Sequence, residues 1–330
     1  MAYSTGTATD QNDLLDKLKT FLTGTPGWTA NKDTVVAASP AAGSNRYILF
    51  DAPGGGSDNI YMGIELNMTY LTEGSIRSFY KPFFRFQGYT GYNGGLGFDD
   101  QPTPIPTANN VPTIAVEWDR PLPYHFIANG RRAIIAVQSG RFWSTAYMGW
   151  YLPFGTPVQA PYPLLIAGSN YTGQTSATTA KDQPHADRHI GYAMGSHDTD
   201  IGSNIQHLEG ANWVGMYRRT WPLYDINDNG SSQYSNSPYW RDDTVSLYEY
   251  QNGDYSLAML NLDGTPGLIP LHLVGDEAGE DVFGVYDGVY AVAGDRYILQ
   301  DDIIDVGGVD HLLVEAIPYG RASTIALKLE

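Results

Sequence analysis

The string Asp225–Gly230, DINDNG, contains the residues with the clearest capacity for metal chemistry. Its side-chain oxygens recur at alternate positions and a glycine stands sixth, as in the first half of an EF-hand calcium loop. The twelfth position, where such a loop has a bidentate acid, is Asn236. Two interpretations stay open: a weak Ca²⁺ site formed by Asp225, Asn227, Asp228 and Asn229, or an ordinary Asx–Gly turn without metal. No other cofactor is expected.

Four of the seven histidines lie within residues 168–210, a stretch with few apolar side chains. His185 and His189, in the run HADRH, have a spacing that would bring both rings to one side of a helix. Pro184 directly before them disfavours a helix, so a metal pair is not expected. His185 and His189 are expected at the surface or at a subunit interface. Residues 168–210 are expected to form a long polar arm across a neighbour, or a flexible loop.

Motifs for nucleophilic or phosphate chemistry are absent from the sequence, which has no G-x-S-x-G, no Walker A loop, no G-x-G-x-x-G and no cysteine. Glycoside hydrolysis needs only two carboxylates. Asp242, Asp243 and Glu249, near Tyr239 and Trp240, are the candidates for it, and surface acids beside an aromatic strand explain them as well. We expect no enzymatic activity, with a polysaccharide depolymerase as a distant alternative.

Composition and charge limit the classes of partner. The 330 residues include 24 tyrosines, 11 phenylalanines and seven tryptophans, enough to fill a large core. Residues 220–330 contain 19 of the 36 acidic residues but only four of the 19 basic ones. Nucleic-acid binding by this third is not expected, because phosphate contacts need clustered lysine and arginine. No apolar run is long enough to span a membrane and the N-terminus lacks a basic region, so neither membrane insertion nor a signal peptide is expected.

Residues 10–23 carry the one clear helical pattern. Its apolar side chains recur at helical spacing on one side: Leu14, Leu15, Leu18, Phe21 and Leu22. Thr9 or Asp10 is expected to cap the start, and Gly24 to end the helix. Because a helix of this length is marginal alone, the stripe must pack on its own domain or on a neighbouring subunit. The second alternative makes Leu14, Leu18 and Phe21 interface residues.

Short strands separated by glycine and proline are expected through the rest of the chain. They are residues 34–38, 46–51, 60–66, 78–88, 112–118, 133–138, 145–152, 212–218, 244–251, 256–262, 268–274, 282–292, 311–316 and 323–329. This series, with no βαβ alternation, predicts a mainly β fold: a β-sandwich or barrel core with one short N-terminal helix and a small C-terminal β module. The expected divisions are a helical segment at 1–30, a β-rich core at 31–275 containing the polar arm, and an acidic C-terminal β module at 276–330.

Three segments resemble a family of tailed-bacteriophage virion proteins. They are the leading TATDQNDLLDKLKTFLTGTPGW, the central RPLPYHFIANGRRAIIAVQSGRFWSTAYMGWYLPFGTPVQAPYPLLIAGS (Arg120–Ser169), and DGVYAVAGDRYILQDDIIDVGGVDHLLVEAI near the C-terminus. The central block is the most specific of them, and the resemblance covers most of the chain apart from residues 168–210. It implies a structural component of the neck or collar, tail or baseplate, and it supplies no catalytic residues.

The central block also has an interpretation from its residues alone. Ala128–Asn129–Gly130 predicts a tight hairpin turn, because Asn-Gly suits positive φ. Arg131 and Arg132 follow this turn and are expected to pair with acids of the same or a neighbouring subunit.

The expected function is therefore that of a non-enzymatic virion component of a tailed phage. It would be made in the bacterial host cytoplasm and would form a symmetric ring or collar with copies of itself and with other virion proteins. The alternative is a receptor- or glycan-binding module at the tail tip, which would use exposed tyrosine and tryptophan side chains to bind a host-surface glycan.

Overall fold

The computed structural model describes residues 1–36, 45–55, 58–73, 77–106, 111–116, 119–139, 142–154, 163–170, 190, 205–209, 212–215, 220–221, 267–275, 281–293, 302–316 and 323–329. These residues contain one helix, α1 (Gln11–Thr23), and twenty strands. Within this part of the chain, no helix is both long enough and apolar enough to cross a membrane. The prediction of a mainly β fold with one short N-terminal helix is confirmed.

The strands fall into two groups along the chain. The first ten are β1 (Ala2–Ala8), β2 (Thr29–Val36), β3 (Asn45–Gly55), β4 (Asp58–Glu73), β5 (Arg77–Tyr89), β6 (Pro112–Ala115), β7 (Leu122–Ala128), β8 (Arg132–Ser139), β9 (Phe142–Trp150) and β10 (Leu152–Pro153). The others are β11 (Leu164–Ala167), β12 (Ser169–Asn170), β13 (Ile205–Glu209), β14 (Asn212–Gly215), β15 (Thr220–Trp221), β16 (Gly267–Gly275), β17 (Asp281–Ala293), β18 (Ile303–Val306), β19 (Val309–Ala316) and β20 (Ser323–Lys328).

The strands form three antiparallel sheets. Sheet A has the order β1-β7-β8-β9-β11-β13-β14, and sheet B has the order β12-β6-β5-β4-β3-β2. Sheet C has the order β15-β16-β17-β20-β19-β18, with β10 also paired to β17. Neighbouring strands in the chain are mostly neighbours in a sheet, as short hairpin connections require.

Sheet A is the middle layer of a three-layered sandwich. Within β8, Ile135 and Val137 belong to the core shared with sheet B and α1, whereas Ile134 and Ala136 belong to the core shared with sheet C. This split follows from the alternation of side chains in a strand. Because the middle of sheet A is buried on both faces, its strands β8 and β11 carry nearly continuous apolar runs rather than alternating ones.

Helix α1 closes one end of the core between sheets A and B. Asp10 is its N-cap, and its carboxylate accepts hydrogen bonds from the backbone N–H groups of Asn12 and Asp13. Leu14 and Leu18 are wholly buried in the chain's own core, and Phe21 packs against Phe126 with ring centroids 5.8 Å apart. Each such buried leucine stabilises the fold by about 1.5–3 kcal/mol. The expectation that Leu14 and Leu18 pack on another subunit is wrong, since neither side chain has exposed surface for a partner.

The expected division at residue 276 passes through a hairpin. Strand β16 pairs with β17 along its length, and Leu152 of β10 pairs with Val285 of β17. The acidic C-terminal residues therefore supply the third layer of the same sandwich. The arm expected at 168–210 is shorter at both ends, because Ser169–Asn170 pairs with β6 and Ile205–Glu209 pairs with β11 and β14.

Four strands of sheet A were not expected from the sequence: β1, β7, β11 and β13. Strand β1 has the sequence AYSTGTA, whose small polar residues match no apolar alternation, and it lies at the edge of the sheet where one side of the strand has no partner. Strand β7 begins with Leu122–Pro123, and proline is a poor strand signal. The strands expected at 244–251 and 256–262 lie outside the described residues.

Candidate functional site

Arg132, at the start of β8, is the largest wholly buried side chain among the described residues. Its Nε atom lies 2.9 Å from Oδ2 of Asp287 in β17, and its Nη2 lies 3.3 Å from the sulfur of Met1. The contact with Asp287 is an ion pair, because the two charged groups are this close. It is not also a hydrogen bond, since neither Nε nor Nη1 makes one of good geometry within the described residues. This arginine therefore joins sheet A to sheet C. Of the two expected pairings, the structure shows the one with an acid of the same subunit, and the interface role of Arg132 is corrected because its side chain is wholly buried.

Gly149 makes room for this arrangement. It lies directly opposite Arg132 in β9 and has a φ of +136°, a region that residues with a side chain rarely adopt. A Cβ atom at this position would lie 2.3 Å from the carbonyl oxygen of Arg131. Glycine is required here because the two backbones approach so closely.

Ile190 lies within the expected polar arm and is the one described residue between Asn170 and Ile205. It is wholly buried between sheets A and C. Its N–H donates to the hydroxyl of Thr145 in β9 at 3.0 Å, and its carbonyl accepts from the hydroxyl of Tyr286 in β17 at 2.9 Å. Tyr286 in turn packs edge-on against Tyr147, with ring centroids 5.0 Å apart. Burial raises the pKa of both tyrosines well above the ordinary range, so both stay neutral. The arm is thus anchored to both sheets near its middle.

A charged cluster lies on the outer face of sheet B. Glu65 of β4 and Arg85 of β5 are directly opposite each other, 2.7 Å apart, and Arg85 also contacts Asp99 at 2.8 Å. The guanidinium of Arg85 lies over the ring of Phe98, 4.7 Å from its centroid. Burial raises the pKa of Glu65, and the charge of Arg85 opposes that rise.

This cluster holds the loop of residues 90–106 on sheet B. The hydroxyl of Tyr89 donates to the Phe98 carbonyl at 2.6 Å, and the buried amide of Gln101 bonds to the backbone of Asn93 in both directions. Arg85 forms an ion pair with each of the two carboxylates. The cluster has a structural explanation, and sequence reasoning missed it because Glu65 and Arg85 meet only once the register of β4 and β5 is known.

A second polar group lies on sheet A where β1 meets β7. The hydroxyl of Tyr3 is 2.8 Å from Nδ1 of His125, and the two ring planes differ by 6°. His125 also contacts Trp143, with ring centroids 4.9 Å apart. Burial lowers the pKa of His125 to about 4, so the imidazole is neutral at pH 7.

Exposed apolar side chains occur at the edges of two sheets. Val35 and Val36, at the end of edge strand β2, are 62% and 43% exposed, and Ile303 of edge strand β18 is 52% exposed. Leu152 and Phe154, beside sheet C, are also exposed.

The structure brings few of the predicted site residues together. Arg131 is exposed and lies over the ring of Trp150, 5.8 Å from its centroid. The calcium candidates, the expected histidines and the glycosidase candidates lie outside the described residues: Asp225, Asn227, Asp228, Asn229, His185, His189, Asp242, Asp243 and Glu249. Within the described part of the chain, no group of three or more histidine and acidic residues is placed to hold a metal ion.

Comparison with models of known protein families finds no match to the chain, and comparison with curated proteins finds none either.

Proposed function

We propose that this protein is a structural, non-enzymatic component of a tailed-phage virion that assembles with copies of itself and with other virion proteins. The observation that carries the proposal is the pair of sheet edges with exposed apolar side chains, Val35 and Val36 on β2 and Ile303 on β18. The resemblance of residues 120–169 to phage virion proteins supports it, since these residues build four strands of the middle layer: β7, β8, β9 and β11.

Edge strands explain how such a protein would assemble. A strand at the edge of a sheet has backbone groups that can pair with another chain, and proteins that stay monomeric cover or charge such edges. Two edges on different sheets of one subunit favour a heterologous contact, in which one edge meets the other edge of the next subunit. Contacts of this kind close into rings when the rotation between subunits allows it.

The test is the oligomeric state of the purified protein and of a variant at the β2 edge. Wild-type protein is expected to form a symmetric oligomer by light scattering after size exclusion. The double substitution Val35→Lys and Val36→Lys should shift it towards monomer without lowering its melting temperature, because both side chains are exposed. Thr20→Lys, at an exposed position on α1, is the matched control and should leave the oligomer intact.

Imaging and mass spectrometry of purified phage particles test the location. The protein should be present at a copy number set by the symmetry of its ring. A wild-type protein that stays monomeric at all concentrations and is absent from particles would overturn the proposal.

A further inference from the structure

One part of sheet A's surface lacks the cover that the rest of that face receives from sheet C. Five side chains there are half-buried or exposed, and we name this surface the shelf: Thr5, Thr7, Pro123, His125 and Gln138. They share the face that elsewhere packs on sheet C, since Ile127 and Ala136, two residues from His125 and Gln138, belong to that core. Register places Thr5 opposite His125 and Thr7 opposite Pro123. The shelf is therefore a continuous surface across β1, β7 and β8.

Two aromatic rings lie at the buried side of the shelf: that of the shelf residue His125 and that of Tyr3 beside it. The rings of Tyr3 and His125 are parallel, with centroids 6.0 Å apart, and the hydroxyl-to-nitrogen distance of 2.8 Å is shorter than the separation of stacked faces. The two rings are therefore parallel and lie side by side, joined where the hydroxyl meets Nδ1, and we name this pair of rings the strip. Trp143 lies directly opposite Gln138 in β9 and packs against His125.

Several hydrogen-bonding groups of the shelf are unused within the described residues. His125 bonds only through Nδ1, which leaves Nε2 without a partner, and the side-chain amide of Gln138 makes no hydrogen bond. The buried Nε1–H of Trp143 also has no hydrogen-bond partner. The Trp143 donor is buried out of reach of a surface ligand. Nε2 of His125 and the amide of Gln138 lie on the half-buried shelf, where a ligand can exchange hydrogen bonds with them.

The shelf carries no charged side chain. Its five members are two threonines, one proline, one histidine and one glutamine. Apart from His125, the one acidic or basic side chain of β1, β7 and β8 is that of Arg132, which forms an ion pair with Asp287. An ionic ligand would lose its hydration here without gaining a counter-charge. A neutral ligand with a flat apolar face and several hydroxyl groups fits both the rings and the unused amide.

We propose that the shelf is a binding site for a neutral oligosaccharide. The C–H face of a pyranose ring would lie on the strip formed by Tyr3 and His125, as sugar rings do on aromatic faces. Its hydroxyl groups would exchange hydrogen bonds with Gln138 and with Nε2 of His125, and the hydroxyl of Thr7 would extend the contact along β1. The hydroxyl of Thr5 donates to the carbonyl of Tyr124 at 3.1 Å and would act only as an acceptor. The inference is independent of the proposed structural role and needs only the folded single chain.

The experiment is calorimetric titration of the full chain with neutral oligosaccharides, maltohexaose and chitohexaose, and with an anionic one, a sialic acid oligomer. At least one neutral sugar is expected to bind saturably and the anionic sugar is expected not to bind. Gln138→Ala and His125→Ala should each weaken binding about tenfold, the effect of losing one ligand hydrogen bond. Gln138 is half-buried and unbonded, so its truncation tests the site even where the histidine variant is less stable.

Tyr92→Ala is the matched control, because Tyr92 is an exposed aromatic residue on the loop over sheet B. It should leave affinity unchanged. Binding that persists unchanged in both shelf variants, binding of the anionic sugar alone, or no binding of either neutral sugar would each overturn the proposal. None of these outcomes depends on the oligomeric state, so failure of this proposal and failure of the structural role are distinguishable.

Discussion

At the scale of single residues, the buried ion pair between Arg132 and Asp287 is the feature most sensitive to substitution. Removing one partner of a buried pair leaves an uncompensated charge in the core and costs about 3–5 kcal/mol. Asp287 retains 26% side-chain exposure, so Asp287→Ala should lower the free energy of unfolding by about 3 kcal/mol, at the low end of that range. Urea denaturation followed by tryptophan fluorescence measures the loss.

The neighbouring arginine supplies the control for this prediction. Arg131 is exposed, and Arg131→Ala should change stability by no more than about 0.5 kcal/mol. A loss of stability in Asp287→Ala as small as that expected for Arg131→Ala would contradict the prediction, because it would show that the ion pair of Arg132 contributes no more than a surface contact.

The half-buried His125 and the buried His207 make stability depend on pH. Burial lowers the pKa of both His125 and His207 from 6.5 to about 4. Between these values the unfolded chain takes up protons that the folded chain does not, so stability is full above pH 6.5 and falls as the pH drops towards 4. The slope is at most about 1.4 kcal/mol per pH unit for each histidine, and less for His125, which solvent partly screens.

Unfolding free energies at pH 7 and pH 5 measure this dependence. His125→Gln should flatten the slope, because glutamine keeps a polar side chain and takes up no proton. A slope in the variant equal to that of the wild type would assign the pH dependence to other groups.

At the scale of elements, Ile190 is the one described residue between β12 and β13, and it joins sheet A to sheet C. Its side chain is wholly buried in the core between sheets A and C. Ile190→Ala should therefore lower the free energy of unfolding by about 2–5 kcal/mol. Ile303→Ala is the matched control, since Ile303 is 52% exposed and the same truncation there should cost under about 1 kcal/mol.

The same residue marks what the sequence did and did not predict about this segment. The low content of apolar pairs in 168–210 indicated a segment outside regular structure, yet a single isoleucine between two histidine-rich runs gave no sign that it fills a gap between sheets. Its position depends on Thr145 and Tyr286, which are distant in the chain. A contact of this kind follows from the packing of two sheets and from no local pattern.

Helix α1 shows the opposite case. Its stripe and its end at Gly24 were predicted, and its cap was predicted as Thr9 or Asp10, because each feature depends on neighbouring residues in the chain; the structure selects Asp10. Which surface the stripe contacts was left open between two alternatives. The structure places Leu14, Leu15, Leu18 and Leu22 in the chain's own core.

At the scale of the whole molecule, the arrangement of three layers was beyond what the sequence indicated. Runs such as RAIIAVQS in β8 predicted a strand, and such a run is equally typical of a two-layered sandwich or a barrel. The three-layered arrangement is shown by Ile134 and Ile135, which are adjacent in the chain and lie in different cores. The candidate surfaces depend on the same facts, because the shelf exists only where sheet C stops covering sheet A.

The burial of the middle of sheet A also determines the order in which parts of the molecule open to solvent. The central residues of β8 and β9, such as Ile134, Ile135, Ala146 and Tyr147, have a paired strand on each side and a packed layer above and below. Water reaches their amide groups only when the outer layers have opened. Their deuterium uptake should report the global unfolding equilibrium, whereas β2 and β18, at the margins, open on their own and exchange first. The sandwich thus loosens from its edges inward, and the edges that are first to open are the ones on which assembly is proposed to depend.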